Sequence, residues 1–260
     1  MTGRVIWYFV KVFTEEAHAD QFIKGNLLLR RLSCFKNVES ESDDGRSDTT
    51  EAVSMWWQPD DIVMDLSVPA LGLHIKITKA DLAGPVSFQS NDFDNSHVLC
   101  LYTIYTDKFI SADGETKFVG INGSTNLTET DVAELRKQLV IDDRYFEFGK
   151  FAVIVRAVPF LERLKAALRN NGQWFRGKLV EYYDDETFHG EIEPREIPFR
   201  KQKRFSYQRE FRVCVQTNTE GEAPLSIEIG DISDICGKTE SSQLNSVFSL
   251  SLKLNPSSPD

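Results

Sequence analysis

The sequence predicts an α+β fold, with a few short helices packed against a mainly antiparallel sheet or two facing sheets. Three observations carry this. Segments rich in β-branched and aromatic residues recur along the chain, at 5–13, 98–105 and 151–158. Helical periodicity is confined to short stretches near 19–23, 131–139 and 160–168. No internal repeat and no linker interrupts the chain, so residues 1–254 read as one domain and 255–260 as a disordered tail.

Val5–Phe13 (VIWYFVKVF) has the composition of a central strand. Thr14 suits a helix N-cap, Glu15 and Glu16 suit the positive end of the dipole, and Gly25 stops the helix. Residues 26–35 return as a strand, and the nearly apolar-free stretch 37–50 is a polar loop centred on an Asp43-Asp44-Gly45 turn. Residues 62–66 and Leu73–Ile77 form a strand pair, the second alternating apolar Leu73, Ile75 and Ile77 with polar His74 and Lys76. Residues 98–105 are a buried strand and 116–121 an additional one; Thr128 or Thr130 caps a helix over 131–139. The strand at 151–158 leads through Pro159 into a helix with Phe160, Leu161, Leu164 and Leu168 inward. Residues 178–183, 205–213 and 225–229 complete the strands.

Composition excludes several classes. No run of about 18 apolar residues exists to span a bilayer. The N-terminus lacks the basic and apolar regions of a secretory signal, and no Cys-x-x-Cys pair occurs among Cys34, Cys100, Cys214 and Cys236. These features point to a reducing, cytoplasmic setting with no metal site. A net charge of −10 disfavours binding to nucleic-acid phosphates; it suits a macromolecular protein partner with a basic groove, against the commoner alternative that it only keeps the chain in solution. No Gly-x-Ser-x-Gly or phosphate-cradling glycine loop is present, which disfavours triad hydrolases and P-loop enzymes.

The chemistry-bearing stretch is 205–213 (FSYQREFRV). Read as one strand, it places Gln208, Glu210 and Arg212 on one face. At a cleft floor, Glu210 would accept a ribose hydroxyl and stabilise positive charge developing beside it. The alternative is the outer face of an edge strand, with Glu210 and Arg212 paired. Arg46, in a loop with Asp48 and Glu51, is a candidate fork for phosphate or carboxylate, and Arg212 a second cofactor-binding guanidinium. Tyr8 and Tyr102 are candidate platforms for stacking on a nicotinamide or base, against the commoner alternative of core aromatics.

The order of these pieces resembles a largely uncharacterised family of bacterial and phage cytosolic proteins. The shared pattern is an aromatic strand, short helix and Gly-Asn-Leu return, then Arg46, Asp48 and Glu51, then Phe148-Gly149. It ends in Lys203 with Gln208-x-Glu210-Phe211-Arg212, followed by an Ile-Gly-Asp-Ile turn from Ile229. The end strand is also similar to that of NAD-dependent ADP-ribosyltransferases. That similarity implies NAD as cofactor, Glu210 as the catalytic carboxylate and Gln208 as the residue orienting the target. The chain departs from that pattern on its first strand, where Tyr8 or Lys11 stands in place of an Arg or His. Two functions follow as expectations: an ADP-ribosyltransferase-like enzyme modifying a macromolecule, or a non-enzymatic acidic protein that inhibits a host-defence or toxin-system partner.

Overall fold

The computed structural model describes residues 4–36, 48–111, 114–117, 119, 127–217 and 219–248. The strands are β1 (Val5–Phe13), β2 (Asn26–Arg31), β3 (Val53–Trp57), β4 (Met64–Val68), β5 (Leu73–Ile77), β6 (Val86–Gln89), β7 (His97–Thr106), β8 (Phe109–Ile110) and β9 (Thr116–Lys117). There follow β10 (Phe151–Arg156), β11 (Trp174–Leu179), β12 (Glu181–Tyr183), β13 (Gly190–Glu191), β14 (Arg200–Gln202), β15 (Glu210–Gln216), β16 (Leu225–Glu228) and β17 (Cys236–Glu240). The α-helices are α1 (Glu16–Ile23), α2 (Ser33–Lys36), α3 (Glu129–Leu139), α4 (Ala157–Asn170) and α5 (Leu244–Val247). Most pairings are antiparallel, and the class is α+β; β12 with β14 is a parallel pair. The chain divides into two compact units, one comprising Met1–Leu27, Leu101–Gly172 and Ser226–Asp260, the other Leu28–Cys100 and Gln173–Leu225. Among the described residues no helix is long and apolar enough to cross a membrane.

In the first unit, β1 pairs antiparallel with β7 on one side and with β10 on the other, and β10 pairs with β17. Phe9 and Val10 are adjacent, so they point to opposite faces, yet both are fully buried. That is why β1 reads as a continuous apolar run and not as an alternation. The Phe9 face packs on α4 and α1, with Phe9 and Phe160 rings 6.0 Å apart and Phe22 stacked on Phe160 at 5.8 Å. The Val10 face packs on Tyr102, Ile104, Tyr145 and Leu244. Helix α4 buries Phe160, Leu164 and Leu168, one stripe at four-residue spacing. Helix α3 is capped as its sequence predicts: Thr128 accepts from the Asp131 N–H at 3.2 Å, and Asp131 accepts from the Thr128 N–H at 2.9 Å. Thr14 is not the cap of α1; Glu15 holds that position and makes no side-chain bond there.

In the second unit, β15 lies between β11 and β7, whose residues 97–100 belong here. The core gathers Leu32, Val53, Trp56, Val98, Tyr183, Ile192, Ile197, Phe199 and Cys214. The strand pair at 62–66 and Leu73–Ile77 is present as β4 and β5, shifted to begin at Met64. Four strand expectations need correction, the first being 151–158, which stops at Arg156 because α4 begins at Ala157. The strand over 26–35 stops at Arg31, and Ser33–Lys36 turns helical. The strand over 178–183 breaks at Val180, whose N–H donates to the Glu210 carbonyl at 2.8 Å, and β12 leaves to pair with β14. The single strand over 205–213 is a 3₁₀ turn (Lys203–Gln208) followed by left-handed Arg209 (φ 37°), and β15 begins only at Glu210. Most of the polar loop 37–50, the strand beyond Lys117 and the tail after 254 lie outside the described residues. The four cysteines are free thiols, Cys214 buried and the others half-buried.

Candidate functional site

Arg212 is fully buried on β15, and its guanidinium makes four hydrogen bonds to acceptors on three segments. Nη1 and Nη2 donate to Glu51 Oε1 and Oε2 at 2.7 and 3.1 Å, the bidentate fork that guanidinium geometry favours. Nη1 also donates to the Pro198 carbonyl at 2.7 Å, and Nε to Glu210 Oε1 at 2.7 Å. Glu210 and Arg212 meet because residues two apart on a strand share a face. The second oxygen of Glu210 faces Lys201 Nζ at 2.9 Å, and Lys201 donates to Gln208 Oε1 at 2.9 Å.

The backbone turn explains how Gln208 joins. It ends the 3₁₀ turn, and the left-handed Arg209 folds the chain so that Gln208 and Glu210 both reach Lys201. Glu51 is likewise followed by a buried non-glycine residue in the left-handed region, Ala52 (φ 60°). Each such residue carries strain of roughly 1–2 kcal/mol, sustained only where the surroundings over-determine the conformation. Here the surroundings are the charge network itself. Two carboxylates and two cations make it formally neutral.

Electrostatics follow from this pairing. Burial pushes the Glu210 carboxyl up, but Arg212 and Lys201 outweigh it and hold it well below the usual carboxylate range. Burial pulls Lys201 and Arg212 down, and Glu210 with Glu51 outweighs it, so both cations are held above their ordinary values. The Cys100 thiol also bonds Glu210. Both cations favour the ionised form of Glu210, which can accept a hydrogen bond and oppose positive charge.

A third buried carboxylate lies three residues before Glu51. Asp48 is 1% exposed; its Oδ1 accepts from the Thr50 N–H at 2.8 Å and from Thr50 Oγ1 at 2.5 Å. Its Oδ2 has no hydrogen-bond partner among the described residues. Burial raises the Tyr183 phenol, and the Asp48 charge adds to the effect.

The structure thus brings together Gln208, Glu210 and Arg212, and adds Glu51 and Lys201. It corrects their setting: Glu210 is 4% exposed, neither on an open edge-strand face nor on the floor of an open cleft. Lys203, matched to the resemblance pattern, is exposed and donates to Asp184 at 2.8 Å; Lys201, two residues earlier, is the buried cation. Nothing in Arg200-Lys201-Gln202 marks it, since a basic run of this kind reads as a solvated strand. Tyr8 and Tyr102 belong to the first unit. Tyr8 is exposed with its ring edge-on to Phe248 at 5.6 Å, and Tyr102 is buried against Tyr145 at 4.6 Å, a core position and not an open stacking platform. Arg46 lies outside the described residues. No group of His, Cys, Asp and Glu among the described residues is arranged to hold a metal ion. Comparison with known protein families, curated proteins and solved structures finds no match to this chain.

Proposed function

We propose that this chain is a non-enzymatic acidic binding protein that engages a macromolecular protein partner in the cytoplasm, with the network around Arg212 serving its fold. One observation carries the proposal: both oxygens of Glu210 are committed to Arg212 and Lys201 at 2.7 and 2.9 Å, inside the protein. A ribose hydroxyl could reach this carboxylate only by displacing a buried cation, which would leave an uncompensated charge. The net charge of −10 favours a partner with a basic groove, and a host-defence or toxin-system component is the kind of partner proposed. The test is direct: the purified chain incubated with NAD should release no nicotinamide above buffer. Turnover abolished by Glu210→Gln in a folded protein would replace this proposal with an enzymatic one.

The second reading is the ADP-ribosyltransferase-like enzyme, with NAD as cofactor. What favours it is that Glu210 is held ionised, the state that stabilising an oxocarbenium-like centre needs, and that strained backbone flanks it at Arg209. It requires the network to open during the reaction.

A further inference from the structure

Of the two acids in the polar stretch before β3, the Arg212 network uses Glu51 alone and leaves Asp48 aside. The Asp48 loop is pinned. The Asp48 N–H donates to the Phe35 carbonyl at 3.0 Å, its own carbonyl accepts from the Glu51 N–H at 2.9 Å, and Gln89 Nε2 donates to the Glu51 carbonyl at 3.1 Å. The side chain is thus held inside, with Oδ1 filled by Thr50 and Oδ2 without a hydrogen-bond partner among the described residues. Tyr183 on β12 repeats the situation. It is 5% exposed, with its ring 6.0 Å from Trp56 and 5.2 Å from Phe188, and its Oη has no hydrogen-bond partner among the described residues either. The two groups are neighbours. The charge of Asp48 raises the phenol's pKa, and Thr50, whose hydroxyl hydrogen goes to Asp48 Oδ1, lowers it. Burial wins, so the phenol stays a neutral oxygen donor.

We propose that Asp48 Oδ2, Thr50 Oγ1 and Tyr183 Oη bind a single sodium ion. Charge is the first argument. A buried carboxylate oxygen left open is costly, and the network around Arg212 is neutral as a whole, so it does not offset Asp48. Asp185 adds negative charge beside the phenol. The cation in that neighbourhood, Arg204, is exposed, with its guanidinium over the Phe205 ring at 4.7 Å. One uncompensated carboxylate calls for one positive charge. Divalent ions are held by several carboxylates, and no group of three or more His, Cys, Asp or Glu among the described residues offers them. Donor chemistry is the second argument. A carboxylate, a hydroxyl and a neutral phenol are all hard oxygens, which suit an alkali ion and not a thiophilic metal. Size is the third. A water molecule needs open volume beside these atoms, and Asp48 Oδ2 and Tyr183 Oη are closed to solvent. Sodium approaches oxygen more closely than water does, and potassium does not. The bound ion ties the loop that carries Glu51 to Arg212 onto β12. The inference goes beyond the proposed function and holds whether or not Glu210 is catalytic.

Urea unfolding of the full chain in sodium, potassium or tetramethylammonium chloride, at equal ionic strength, tests it. At about 100 mM salt the folding equilibrium constant should be about tenfold larger with sodium than with tetramethylammonium, as for a site with a Kd of about 10 mM. The gain should saturate with sodium, and potassium should give less of it. Asp48→Asn should abolish the gain. Tyr183→Phe keeps the ring against Trp56 and Phe188 and should shift the midpoint to higher sodium. Sodium NMR relaxation reads the ion on the native wild-type chain, so the test stands even where a variant does not fold: the chain should speed relaxation, and potassium should reverse this only in excess. Equal stability in the three salts would overturn the proposal and leave Asp48 to water or to Arg204. So would a sodium preference that survives Asp48→Asn, or a sodium signal that the folded chain leaves unchanged.

Discussion

Arg212 and Glu51 stand 161 positions apart in the sequence and meet side by side in the interior, through contacts of 2.7 and 3.1 Å. This pair joins the two chemistry-bearing stretches of the chain. A buried pair of this kind matters most when half of it is lost. Arg212→Met should cost about 3–5 kcal/mol, because Glu51 then loses its buried fork and Glu210 keeps only Lys201 as a cation partner. Arg212→Lys should recover only part of the loss, since an ammonium cannot make the fork to Glu51. Denaturant unfolding of the three proteins checks both statements.

Acid stability follows from Glu210. Its folded-state pKa is depressed, so it contributes stability that is fully present above the ordinary glutamate pKa of about 4.3 and is lost as pH falls toward its lower folded value. Unfolding free energy should therefore drop steeply below about pH 4. Glu210→Gln should flatten that limb, at lower stability near neutrality. A wild-type curve level down to pH 2 would contradict the account.

His97 adds a step at higher pH. Its ring is buried, with Nε2 3.0 Å from the Ala223 carbonyl and Nδ1 3.0 Å from Thr217 Oγ1, and Arg31 is its cross-strand partner. Burial lowers its pKa, and the Arg31 charge adds to that against the Ala223 bond. A depressed histidine contributes stability above its unfolded pKa of about 6.5 that is lost as pH falls through the folded value. The Thr217 and Ala223 amides should exchange faster as pH drops below that point, after correction for intrinsic rates. His97→Gln should remove this dependence.

Two glycines separate strain from space. Gly25 (φ 88°) ends α1, and a Cβ there would sit 1.9 Å from the Gly230 carbonyl oxygen. Gly72 (φ 63°), at the turn of the β4–β5 ribbon, has nothing within 4 Å. Gly72→Ala should cost about 1–2 kcal/mol, the left-handed penalty alone. Gly25→Ala should cost over about 3 kcal/mol, because backbone must also move. Thermal denaturation of the two variants ranks them.

Local features of the fold were legible in the sequence where the signal was local. Thr128 was one of two cap candidates and is the cap, and alternation in Leu73–Ile77 announces one apolar face. The break inside 205–213 was not legible, because Arg209 takes the left-handed conformation without the Gly or Asn that usually marks it. Glu210 and Arg212 were rightly placed on one face, but their burial depends on Glu51 and Lys201, which arrive from other segments. Whether a charged row faces water or the interior is a tertiary property, and periodicity alone carries no sign of it.

The first unit is built from three separated pieces of chain, with the second unit's pieces inserted between them. During synthesis β1 precedes its neighbour β7 by more than eighty residues and β10 by more than a hundred, and β17 follows later still. The apolar β1 therefore waits for β7 before its first sheet neighbour exists, and longer still for β10. Such ordering implies slow, non-local closure and a nascent chain prone to aggregation unless a chaperone shields it.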